Sequence, residues 1–481
     1  MNKLLLLLVV AALMFSVACG SSSGSGPSPN GNYSNSSLSG QYAYQFTGFD
    51  LANSSAPYVR SGVFTADGAG NITSATDDFS EGTAFTSNVT GNYSISNDGT
   101  GTLNFTFPSG SLGFAITLTS SSSVYMDSVD TNLVGAGIAD KQNTSDFASI
   151  PQGSFVFKIH NSTASATNGS VGLMTVTGGA ISGTEDVNDG SIVSASLPLV
   201  SGTLNLPDAT TGRGTGSFTD TNGITSTFNY YVVDANNLRL FTTTSGLAGV
   251  GRAELQTGGP FSNASLSGSY VFGARGDTAM FFNGLQIAGR YTADGNGSLT
   301  AGVFDSVRDY TPSANVAFTG SYSVASNGRA AVTINSTPQI YWLVSPSRAF
   351  YLSNDPTTVA EGTVDLQQSS SFSNSSISGQ YGLVMTGFDA SPETLDRVGT
   401  LQWDGAGHLT LNEVVNASGS ASSSGFIGGS YSLASNGRAT GTINGLANNV
   451  DLVFYFSSPS NAYVIQSDAN TEIGGVMAKQ Q

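Results

Sequence analysis

A glycine followed by alternating aromatic residues opens four segments of this 481-residue chain: Gly40-Gln41-Tyr42-Ala43-Tyr44, Gly153-Ser154-Phe155-Val156-Phe157, Gly268-Ser269-Tyr270-Val271-Phe272 and the weaker Gly379-Gln380-Tyr381-Gly382-Leu383. These glycines stand 113, 115 and 111 positions apart. Each segment closes on a short strand-like run ending in glutamine, at Gln142, Gln256, Gln367 and Gln480, spaced 114, 111 and 113. Two independent landmarks keep one period, which excludes a single large core and divides the chain into units of ordinary domain size. The lead-in at 33–39 also returns at 261–267 and 372–378. The repeats that follow are 33–143, 144–258, 259–369 and 370–481, the second of them divergent, with a longer loop at 207–214.

Within a repeat the pattern is that of hairpins. In the third, alternating runs at 287–293 and 298–307 flank Asp294-Gly295-Asn296-Gly297, and those at 320–325 and 330–334 flank Ser326-Asn327-Gly328-Arg329. Runs at 340–344 and 349–352 flank Ser345-Pro346-Ser347, and 362–367 closes the unit. Asn-Gly between alternating runs signals a hairpin because the tight turn needs positive φ. No segment sustains helical periodicity. The expected fold is all-β: four tandem small antiparallel up-and-down β-barrels, lipocalin- or avidin-like, of about eight strands each, since pairing the last strand with the first removes both edges. A β-sandwich and a propeller are the alternatives, the propeller because Gly-x-Tyr recurs in mid-repeat at Gly91-Asn92-Tyr93, Gly320-Ser321-Tyr322 and Gly429-Ser430-Tyr431.

The segment before the repeats sets an address. Lys3 precedes an apolar run over 4–15, then Ser16-Val17-Ala18-Cys19-Gly20 and a Gly/Ser/Pro-rich stretch to residue 32. A run of about a dozen residues is short of the roughly 20 that span a bilayer, and the layout is that of an export signal. It resembles a bacterial lipobox. That resemblance implies residues 1–19 as signal peptide and lipobox, lipidation at Cys19, and 20–32 as a flexible linker; Ser16 departs from it, standing where an aliphatic residue is usual. The location implied is outside the cytoplasm, lipid-anchored in the bacterial envelope at the outer membrane or cell surface. A linker of about a dozen residues reaches roughly 20 Å, so a linear array would hold the first repeat near the membrane and the fourth outward. Cys19 is the only cysteine, which leaves the repeats without disulfides or thiolate metal sites. A net charge of −17 offers no footprint for nucleic acid, and no cofactor is expected.

Candidates for chemistry are few. His160 alternates with Phe155, Phe157 and Ile159, and its counterparts are Thr47, Arg275 and Thr386, a mixture that reads as solvated. His408 follows the turn at Asp404. Neither has partners in sequence for a triad or a metal site. Asp67, Asp294 and Asp404 are weak calcium candidates, as is the similar Asp98, but a calcium loop needs several oxygen ligands and each turn supplies one acid. An Asp that bonds its own turn is the simpler reading. Asp130, Asp355 and Asp468 recur after the penultimate strand and would complete a site only across a barrel mouth. Trp342 lies in an apolar run and reads as core. Trp403 replaces the Ala66 and Ala293 of other repeats, either as a barrel plug or as an aromatic ligand surface, the weak ligand candidate. No spacing supports paired carboxylates for glycoside hydrolysis, and no residue is assigned a catalytic role.

Taken in order, the Gly-x-Tyr, Asp-Gly-x-Gly and Ser-Asn-Gly-Arg hairpins resemble those of uncharacterised tandem-repeat surface lipoproteins of acidobacterial type. The resemblance implies a surface location and no established activity. The expected function is a lipid-anchored surface module for structure, adhesion or binding, not an enzyme. Its partners are the membrane, through the lipid, and an unknown extracellular or surface partner met by loops such as 50–59 and 277–286. The alternatives are a carrier of small apolar ligands in the barrel interiors and, further off, a secreted hydrolase.

Overall fold

A computed structural model describes residues 31–163, 165–278, 284–390, 393–444 and 449–481. The signal segment, Cys19 and the linker up to residue 30 lie outside them. Among the described residues, the strands form four closed eight-stranded barrels at 39–141, 153–255, 267–366 and 379–479. Neighbouring strands are antiparallel, and in each barrel the first and eighth strands pair, as in Tyr42 with Lys141 and Phe272 with Val364. The period of two explains the burial. In the first strand, Ser39–Asp50, Tyr42, Tyr44 and Phe46 point inward beside Phe64, Phe105 and Phe114, while Ala43, Gln45 and Thr47 face out. All four interiors are filled by such side chains, so they do not supply the open apolar cavity that a carrier in the barrel interiors needs.

The mid-repeat Gly-x-Tyr is not a blade boundary. The lead-ins form short 3-10 turns, Asn35–Ser37, Asn263–Ser265 and Asn374–Ser376, that close one end of their barrels. Asn35 Oδ1 accepts the Ile95 amide (2.8 Å), and Tyr93 donates to the Leu38 carbonyl (2.7 Å). Asn263 with Tyr322, and Asn374 with Tyr431, repeat the arrangement. In the third repeat the fourth strand, Thr311–Val324, begins nine residues before the expected run at 320. Its first half is polar and exposed on both faces, which hides it from a reading by alternation.

The array is not linear: the barrels close into a ring. The outer faces of the first two strands of each barrel pack on strands six to eight of the next, and the fourth barrel packs on the first in the same way. Four apolar seams result, with Val59, Val63, Tyr231 and Phe241 in one, Val171, Trp342 and Phe350 in the next, Val271, Val453 and Ile465 in the third, and Ala115, Tyr125, Val384 and Val398 in the closing one. The closing glutamines stitch it. Gln142 Nε2 donates to the Thr211 and Val232 carbonyls (3.2 and 2.6 Å), Gln256 to Asn327 and Leu343 (3.0 and 2.7 Å), and Gln367 to Asn436 and Phe456 (3.0 and 2.8 Å). Gln480 does the same to Asp98 and Leu118 of the first barrel (3.1 and 2.6 Å). The expectation of a fourth barrel projecting outward is therefore corrected. Each barrel's outer apolar residues need a partner, and a ring supplies one to every barrel.

Three seams share a buried ionic anchor that the fourth lacks. Arg213 pairs with Asp78 (2.9 Å), Arg329 with Asp186 (2.7 Å) and Arg438 with Asp305 (2.6 Å). Each aspartate also accepts from an aromatic donor on the arginine's barrel, Tyr231, Trp342 or Tyr455. Trp342 is thus buried between barrels rather than inside one, as its sequence setting suggested. At the closing seam the strand register puts Thr100, Thr117 and Val414 in the arginine, aromatic and aspartate positions. The anchor's members are lost together.

Candidate functional site

A ring of four barrels encloses an axis, and the residues on it come from the outward face of each first and eighth strand. Register aligns them in layers. One layer holds Gln45, Lys158, Gly273 and Val384, paired with Ile138, Arg252, Thr363 and Val476. The next holds Thr47, His160, Arg275 and Thr386, paired with Ala136, Val250, Glu361 and Gly474. Two cavities lie along this axis. The larger, about 790 Å³, is lined by all four barrels and includes Gln45, Lys158, Arg239, Arg252, Arg275 and Glu361. The smaller, about 100 Å³, lies where the hairpins between first and second strands meet, with Phe49, Tyr58, His160, Asp277, Phe388 and Asp396 among its walls. Thr47, Arg275, Gln286 and Thr386 line both.

The solvated reading of His160 is corrected here. Its side chain is only 14% exposed, with Nε2 3.9 Å from Asp277 and Nδ1 4.0 Å from Glu361. The outside of its barrel is the inside of the ring, which no reading of a single repeat could show. Burial lowers the imidazole pKa below its ordinary value, and Arg275 and Lys158 add to this against the nearby carboxylates. Lys158 Nζ is 3.9 Å from Glu361, and burial brings its pKa down to about 8, with Arg252, Arg275 and Arg348 acting in the same direction. Burial alone would raise Glu361, but Lys158, His160, Arg275 and Arg252 outweigh it and hold it below the usual range. Clustered shifts of this kind in a cavity mark a candidate site.

Ion pairs join the barrels around the cavity. Arg239 reaches Asp140 of the first barrel. Arg348 holds Glu254 across a seam (2.6 Å) and Asp365 on its own barrel (2.6 Å), and Tyr463 donates to Asp365 (2.6 Å). Of these groups the sequence reading singled out Arg275 and His160 only as members of a mixed position. The signal available was that mixture itself: the first and fourth repeats are neutral in both layers, while the second and third carry the charges.

The other candidates fall elsewhere. Asp67 Oδ1 accepts the Ala69 and Asn71 amides (2.7 and 2.9 Å), Asp294 Oδ1 those of Asn296, Gly297 and Ser298, and Asp404 Oδ1 those of Ala406, Gly407 and His408. These carboxylates brace their own turns, which holds their pKa values low, that of Asp67 at about 2. His408 is 64% exposed and bonds Asp404 Oδ2 at 2.8 Å. Asp98 accepts from Asn412 Nδ2 of the fourth barrel (2.9 Å) and so belongs to the closing seam. Asp130 and Asp355 bond their own turns, and Asp468 bonds the Asp451 amide and Gln466. Trp403 is a plug: it is 1% exposed inside the fourth barrel, among Tyr381, Tyr431, Phe454 and Phe456. Its ring N–H has no hydrogen-bond partner among the described residues.

No family model matches the chain, and no curated protein does. Among solved structures, the isotype 1 transferrin binding protein B of serogroup B Neisseria meningitidis aligns over 74% of this chain and 83% of its own, at 11% identity and a TM-score of 0.22. A double mutant of transferrin binding protein B from Haemophilus parasuis Hp5 aligns over 68% and 75%, at 11% identity and 0.18. CghA aligns over 95% and 94%, at 8% and 0.15. Likenesses this slight carry no argument about function. Among the described residues no helix is long and apolar enough to cross a membrane.

Proposed function

We propose that this chain is a lipid-anchored binding module of the bacterial envelope, tethered through Cys19, whose ligand site is the axial cavity of the ring. The observation that carries the reading is the cavity of about 790 Å³ walled by all four barrels, within the size range of small-molecule sites. It lies where the repeats stop resembling one another. The filled interiors and stitching glutamines recur in all four repeats, and the turn aspartate in the first, third and fourth. The loops expected to meet a partner take a place in this reading, since residues flanking the 50–59 and 277–286 hairpins line the small cavity at one end of the axis. Residues 279–283 of the second loop lie outside the described residues. No catalytic step is assigned to the site: Ser162 Oγ stands 3.4 Å from His160 Nε2, but Glu361 is 4.0 Å from Nδ1, beyond hydrogen-bond reach.

The test is native mass spectrometry of the full ring after exposure to a small-molecule extract, compared with Thr47→Trp, which blocks the axis from the neutral first-barrel side. A 1:1 small-molecule adduct lost in the variant, with unchanged circular dichroism, is the expected result. Equal adducts in both proteins would place the site elsewhere.

A further inference from the structure

The walls of the axial cavity are unbalanced in charge. The chain has 15 lysines and arginines against 32 acids, yet Lys158, Arg239, Arg252, Arg275 and Arg348 all line this one cavity. The acids lining it are Asp140, Glu361 and Asp365, with Glu254 in contact with Arg348 and Arg252; Asp277 and Asp396, on which Arg275 also acts, stand on the wall of the small cavity. Two cations are fully matched: Arg239 by Asp140, and Arg348 by Glu254 and Asp365. Lys158, Arg252 and Arg275 are left with Glu361, 3.9 Å from Lys158, and with a 3.5 Å contact from Arg252 to the Glu254 carboxylate that Arg348 already holds.

Three partly buried cations, with Glu361 the one carboxylate on this cavity's wall not already held by Arg239 or Arg348, are costly unless a further negative charge joins them. The carboxylates agree with a positive field: Arg348 and Arg252 hold Glu254, and Lys158, His160 and Arg275 hold Glu361, below the usual range in spite of burial. Packing does not demand these charges, because the same layers in the first and fourth barrels are built from Gln45, Thr47, Val384 and Thr386.

We propose that the axial cavity takes a small organic oxyanion, a carboxylate or phosphate, bound against Lys158, Arg252 and Arg275 on the wall made by the second and third barrels. This rests on the reading of the cavity as the ligand site and names its ligand class. Arginine and lysine donors match either oxyanion through charge-assisted hydrogen bonds.

Isothermal titration of the full ring with inorganic phosphate, citrate and, as a cationic control, spermidine tests it. Phosphate, citrate or both should bind at one site, and spermidine should not. Which anion binds more tightly tells phosphate from carboxylate ligands. Lys158→Met and Arg275→Met should each weaken anion binding at least tenfold while leaving the melting temperature of the free protein unchanged or higher, since each removes an underpaired cation. A variant that melts lower would blur that comparison, so Thr47→Trp serves as a second probe: it blocks the cavity and keeps every cation, and it should also abolish anion binding. The proposal is overturned if neither anion binds, if binding survives both charge variants, or if spermidine binds in their place. Failure here together with a Thr47→Trp-sensitive neutral adduct would leave the cavity as the ligand site and reject only the anion.

Discussion

At the closing seam, Asp127 of the first barrel occupies the position held by Phe241, Leu352 and Ile465 in the other barrels. Both of its carboxylate oxygens are buried with no hydrogen-bond partner among the described residues. It faces the charge of Asp396 and Glu413 across the seam, and Glu413 is itself paired with Arg397. Tyr58, whose hydroxyl is buried and unpartnered, lies in the same cluster, and Arg275 acts on Asp396 from the axis. Burial, then Asp396 and Glu413, push Asp127 well above the ordinary carboxyl range, and burial pushes Asp396 up to about 7. A carboxyl whose pKa is raised by folding holds its proton more tightly in the folded state. Its contribution is full below the free-chain value near 4 and is lost as pH rises through about 7. For Asp396 the shift of about 3 units is worth on the order of 4 kcal/mol between those limits, and Asp127 acts in the same sense. Asp127→Leu restores the apolar residue of the other seams and removes the buried carboxyl that faces Asp396 and Glu413. It should raise the first urea-unfolding midpoint at pH 8, by the equivalent of roughly 2–4 kcal/mol, while changing it little at pH 4. A variant no more stable than the parent at pH 8, with the same pH slope, would refute the reasoning.

Other outcomes follow from single residues. Glu185, buried in the second barrel where the first and fourth barrels place Asp77 and Glu413 beside arginines, is raised to about 8 by burial and by Asp220 and Asp186. Glu185→Leu should therefore stabilise that barrel above pH 8 and have little effect at pH 4, read by urea unfolding. Arg329→Met strands Asp186 in the seam between the second and third barrels, so a loss of about 3–5 kcal/mol is expected, and Trp342 fluorescence should report it. Trp403→Ala should cost about 3–5 kcal/mol in the fourth barrel by opening a cavity, read by thermal unfolding.

What the sequence showed was what a single repeat determines. Tyr42, Tyr44 and Phe46 alternate because one face of their strand is a barrel interior, and Asp294 announces its turn because the carboxylate bonds that turn's own amides. What it concealed was the relation between repeats. The four glutamines were visible as period markers, but their use as stitches depends on carbonyls some 70–90 residues away, or on the far side of the ring. His160 and Arg275 alternate with core residues as any solvated pair would, and only ring closure turns their face inward. Val171 and Val59 gave a clue, being apolar on the outer face of strands that need no second core.

Ring closure is the claim on which the axial cavity rests, and a cross-link between the first and fourth barrels tests it most directly. A Cβ built on Gly382 would lie 2.7 Å from the Thr119 methyl, close enough for a disulfide between the two positions. The double variant Thr119→Cys and Gly382→Cys, with Cys19→Ser to leave no other thiol, should oxidise within one chain to a monomer of increased gel mobility, reversed by reductant. Absence of an intrachain cross-link, or cross-links only between chains, would contradict the closed ring.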